Sequence, residues 1–99
     1  MEDIYLATAR AIFLRMEEFR KRLDQDALAM ILKDAQTLLD EIPDIFEVAA
    51  RLKHALSEVG LDVYHNAAEN QVDLHLNDFP LVVLQFMETT CGPTVFISR

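Results

Sequence analysis

Two glycines, three prolines, one cysteine and no tryptophan occur among the 99 residues. Gly60 and Gly92 stand far apart, so no glycine-rich loop exists to cradle a phosphate. The Gly-x-Ser-x-Gly turn of a serine hydrolase is also missing. The single cysteine, Cys91, rules out an intrachain disulfide and points to a reducing compartment. There is no Cys-x-x-Cys pair, no His-Glu-x-x-His run and no calcium-loop spacing, so neither a metal nor a cofactor is expected. Positive charge is scarce as well. Nine Lys and Arg face 17 Asp and Glu, a formal charge of −8. That balance argues against nucleic-acid backbones and anionic membranes as direct partners, since both require a basic footprint. The first residues lack the basic region of a secretory signal. The apolar stretch 4–14 contains Arg10 and falls short of the about 20 residues of a bilayer span. A cytoplasmic location is the expectation.

What is abundant is apolar surface. Hydrophobic residues make up 52% of the chain, enough for a real core in a single domain spanning 1–99. The first stretch, 2–23, reads as a helix with Tyr5, Ile12, Met16, Phe19 and Leu23 along one stripe. Ile4, Leu6, Ala7, Ala11, Phe13 and Leu14 make its first half apolar almost all round. In the next stretch Leu28, Ile31, Leu32, Ala35, Leu39 and Ile42 point about 130° away from that stripe. A turn at Asp24-Gln25-Asp26 and a second helix over 26–41 account for the jump, with either Asp as N-cap. Pro43 ends it. Asp44-Ile45-Phe46-Glu47 resembles a capping box and opens a third helix over 44–59, closed by Gly60 and its apolar follower Leu61.

From Leu61 the apolar period drops to two. Strands are expected over 61–66, 71–77, 80–88 and 94–98, joined by short connections into a four-stranded antiparallel meander. The fold class is therefore α+β, three N-terminal helices packed on one face of that sheet. A loop at 67–70 pairs Asn66 with Gln71, Val63 with Leu74 and Asp62 with His75. Val63, Val72, Leu74, Val95 and Ile97 then face the helices. The third strand, PLVVLQFM, is apolar on both sides. Turning Val82, Leu84 and Phe86 inward sends the polar Gln85 outward, together with Leu81, Val83 and Met87. With Tyr64 and Phe96 these would form an outer patch of about 300–500 Å², a size at which interaction surfaces begin. The last strand is expected to be an uncapped edge, a second route to pairing with another chain.

Chemistry-bearing residues are few. Cys91 lies in a turn with no base beside it, in an acidic half of the chain, so it is read as a turn residue. His54 belongs to the exposed side of the third helix, while His65 and His75 fall on opposite sheet faces. The carboxylates between 24 and 44 are explained by helix ends and solvation. An enzyme is not expected. Three helices followed by a hairpin also suggest a winged helix, but its recognition helix would present Glu47, Arg51, His54 and Glu58, too acidic a set for phosphates. The reading that remains is a small, acidic, non-enzymatic adaptor, chaperone-like protein or regulatory subunit. It would dock on a protein, a basic partner or a second copy of itself in a homodimer, through Tyr64, Leu81, Val83, Met87 and Phe96. The alternative is an acidic inhibitor that mimics nucleic acid in a basic groove. In composition the chain resembles small acidic chaperones and inhibitors of bacterial secretion and phage systems, with no motif behind the likeness.

Overall fold

A computed structural model describes residues 3–77 and 81–98. The expected start of the first helix at residue 2, most of the 77–80 connection and Arg99 lie outside these. Three helices come first: α1 (Ile4–Arg22), α2 (Gln25–Glu41) and α3 (Ile45–Glu58). Each opens on an aspartate. The carboxylates of Asp3, Asp24 and Asp44 accept the N–H groups of Tyr5, Asp26 and both Phe46 and Glu47, satisfying donors that the first helical turn cannot. The reciprocal half of a capping box is replaced: the Asp44 N–H goes to the Ile42 carbonyl at 2.8 Å, and Glu47 reaches forward to Arg51 at 3.2 Å. At the far end of α3 the N–H of Leu61 bonds to the carbonyl of Leu56 and that of Gly60 to Ser57. This is a Schellman closure, which needs the left-handed φ of +106° that Gly60 supplies.

The turn between α1 and α2 departs from expectation. Leu23 was placed on the buried stripe, but it takes the left-handed conformation (φ 52°) as C-cap of α1 and is 52% exposed. Only Leu23 and Asp24 separate the helices. One residue must swing the chain round so that the next can cap, and that swing carries the Leu23 side chain off the stripe. The rest of the stripe is buried: Tyr5, Ile12, Met16 and Phe19, with Ala9 between them.

The sheet follows in sequence order: β1 (Asp62–Asn66), β2 (Gln71–His75), β3 (Leu81–Thr89) and β4 (Gly92–Ser98), every pair antiparallel. The register of the first hairpin is as expected, with Asp62 opposite His75, Val63 opposite Leu74 and Asn66 opposite Gln71. β2 stops at His75, and Asn77 leaves the strand with a left-handed φ. Val82, Leu84 and Phe86 point inward and are fully or almost fully buried. α2 lies over β4 and α3 over β1, β2 and β3, while α1 packs across α2 and α3. The core thus runs from Ile12, Met16 and Phe19 through Ile31, Leu39, Leu52 and Leu56 to Leu74 and Leu84.

Candidate interaction face

All the helices lie on one side of the sheet, so the side chains that alternate away from them meet no element among the described residues. Strand pairing arranges them in rows. Asp62, His75 and Leu81 form one row; Tyr64, Asp73, Val83 and Ser98 the next; Asn66, Gln71, Gln85 and Phe96 a third; Met87 and Thr94 close the face. The five residues expected to form the patch are brought onto this one surface. Tyr64 is 64% exposed, Leu81 40%, Met87 46% and Phe96 47%, with Val83 half-buried between them. The Tyr64 ring is held edge-on against His75, centroids 5.4 Å apart. Gln71 Nε2 donates to the Asp73 carboxylate at 3.1 Å. The apolar side chains of β3 and β4 thus lie beside a polar strip of His75, Asp73 and Gln71 on β2, with Tyr64 beyond it on β1 next to Asp62.

The free edge of β4 is not the bare strand expected from the sequence. Gln36, on α2, accepts the Val95 N–H through Oε1 at 3.0 Å and donates to the Pro93 carbonyl through Nε2 at 3.2 Å. Its Nε2 also donates to Asp40, one turn further along α2. Pro93 itself offers no N–H. A carboxamide presents one donor and one acceptor side by side, as a neighbouring peptide group does, so Gln36 occupies the place where another strand would pair. Hydrophobic periodicity carries no trace of this, because Gln36 reads simply as a polar position on an amphipathic helix. On the opposite flank the β1–β2 turn is tied to β3: Asn70, left-handed and buried, accepts the Phe86 N–H, and Gln85 donates to the Glu69 carbonyl.

Elsewhere the surface offers less. An open groove of about 570 Å³ runs between α1 and the end of α3, lined by Leu6, Arg10, Phe13, Leu14, Glu58 and Val59. This corresponds to the apolar first half of the opening helix. A second hollow adjoins it through Leu6 and Glu58 and reaches Tyr5, whose ring lies beneath the Arg51 guanidinium at 5.8 Å. Burial raises the Tyr5 phenol above its usual pKa, and the Glu47 carboxylate adds to the effect. His54 pairs with Glu58 at 3.1 Å on the exposed side of α3. His65 sits in the inward row with Val72 and Leu84, away from His75 on the outer face. Cys91 is exposed in the β3–β4 turn, where Thr89 Oγ1 accepts its backbone N–H. Among the described residues no three His, Cys, Asp or Glu side chains gather as a metal ion requires. No helix among them is long and apolar enough to cross a membrane. Compared with protein-family models, with curated proteins and with solved structures, the chain matches none.

Proposed function

We propose that this chain is a non-enzymatic interaction module of the cytoplasm, an adaptor or regulatory subunit that docks on protein through the outer face of its sheet. The observation that carries the reading is the uncovered row structure itself. Leu81, Met87 and Phe96 are each 40% exposed or more and are linked through Val83 along β3 and β4, with the 64% exposed Tyr64 on β1 of the same face, across His75 and Asp73 of β2. An exposed apolar band flanked by polar groups has the anatomy of an interface core and rim. The acidic-mimic alternative has less support. Asp24 and Asp44 are committed to capping helices, and Asp40 receives the Gln36 amide, so the carboxylates of 24–44 do not form one free array.

Site-specific photo-crosslinking tests the docking reading. A photoreactive residue at position 81 or 96, introduced in the native cell, should give a discrete protein adduct. The same residue at Glu41, on the helical side, should give none, and the Leu81→Ser/Phe96→Ser double variant should lose the adduct made from position 64. Adducts formed equally from all positions would defeat the reading.

A further inference from the structure

The docking reading leaves open what docks, and the charge on the outer face decides it. Residues 60–98 contain no Lys or Arg. Among the described residues the face carries Asp62 and Asp73, and its one basic side chain is His75. Both carboxylates belong to the surroundings of Tyr64. Asp73 is directly opposite it across the ladder, about 5.5 Å away between Cα atoms, and Asp62 is two residues along the same strand, about 6.7 Å away. His75 steadies the ring from the side at 5.4 Å.

We infer that the occupant is an apolar segment of a different protein carrying an Arg or Lys, its cation resting on Tyr64 between Asp62 and Asp73 while its apolar side chains cover Leu81, Val83 and Phe96. This rests on the docking reading and names the partner's chemistry. An exposed aromatic ring flanked by carboxylates attracts a cation by its quadrupole and by charge together. A second copy of the chain is a poor occupant. Among the described residues each face brings the same two carboxylates and no Lys or Arg, so a second copy supplies no cation for them beyond His75 and adds to the negative charge at the contact. Area points the same way. Four strands span about 15 Å and the paired lengths about 20 Å, a footprint well under the about 800 Å² per side of a standard stable interface. Strand-to-strand pairing along β4, the other route to self-association, is obstructed by Gln36 at Pro93 and Val95.

The test is selection of a phage-displayed library of random peptides on the immobilised protein. Clones that no longer bind the Leu81→Ser/Phe96→Ser variant are kept, after circular dichroism has shown that variant to be folded. The expected clones carry Arg or Lys among apolar residues. Their synthetic peptides should bind about tenfold more weakly to Asp62→Asn/Asp73→Asn. Replacing the peptide's Arg by Gln should cost the same in the parent protein and little in that double variant. Face-dependent clones without basic enrichment, or additive losses in the cycle, would overturn the inference and leave the docking reading standing. If no clone depends on Leu81 and Phe96, docking itself fails and the inference with it. A dimer in sedimentation equilibrium that Phe96→Ser dissociates would also overturn it.

Discussion

Gln36 joins the helical half of the chain to the sheet by two hydrogen bonds, 57 and 59 positions away from its partners. Its removal leaves the Val95 N–H without an acceptor and opens the β4 edge. Gln36→Ala should lower stability by about 1–2 kcal/mol in urea titration and speed amide exchange at Val95 selectively. It should also make the protein prone to self-association, as an opened edge strand does. Leu23 predicts an effect of the other sign. A leucine held at φ 52° bears a steric cost that glycine does not, and its half-exposed side chain gives little burial in return. Leu23→Gly should therefore stabilise by about 0.5–1 kcal/mol, a rise of several degrees in Tm for a domain of this size. Neither residue announces its role in the sequence. Gln36 is one polar helix position among several, and Leu23 completes an apolar stripe that the geometry of a two-residue turn then breaks.

Between elements, the α1–α2 seam holds a titratable group out of its ordinary range. Asp34, on α2, has its pKa raised mainly by burial; the nearby Arg15 of α1 and Lys33 pull it down without cancelling that effect. The folded state therefore binds this proton more tightly than the unfolded chain does. Its contribution to stability is fully present below the ordinary value of 3.8 and is lost as pH rises through the higher folded value. Asp34→Asn should accordingly melt at a higher temperature than the parent at neutral pH, and the difference should vanish in melts below pH 3.8. The third helix, by contrast, was plain in the sequence. The split of α1 from α2 had only the jump of the apolar stripe at 24–26 to mark it, with no Gly or Pro between them. Asp24 and Asp44 cap as their positions foretold, and Asp44→Ala should cost about 1 kcal/mol, since two N–H groups lose their acceptor. The strands and the register of the first hairpin were also legible. The face of β3 rests on preferring Gln85 outward, and its register against β2 and β4 was not legible, because a strand apolar on both sides fits either way. How the helices stack was not legible either. Periodicity tells which side of α1 is buried, yet not that α2 and α3 lie between it and most of the sheet.

The whole molecule is a two-sided object, with one sheet face sealed and the other open. That asymmetry predicts opposite outcomes for similar substitutions three residues apart. Leu84→Ala should cost about 2–5 kcal/mol, because it empties a site fully enclosed by core side chains. Leu81→Ser and Phe96→Ser should move the urea midpoint little and raise solubility, because their side chains already meet water. A large loss of stability in either outward variant would mean that something covers the face, and the candidate site with it would fall. Tyr64 and Phe96 could be named as outward from period two alone, and Leu81, Val83 and Met87 only by turning Gln85 outward as well; the carboxylates around Tyr64 needed the register of the first hairpin.

The long reach from α2 to β4 also bears on how the chain comes to be folded. Contacts inside the helical hairpin and along the meander are close in sequence, but Gln36 and the core beneath β4 wait for residues 93–97. During synthesis, α1, α2 and α3 must spend the intervening time with an apolar flank bare, and closure comes only when the final strand slots in. Folding of this protein should thus be slow for its helical content, limited by one late, distant docking step.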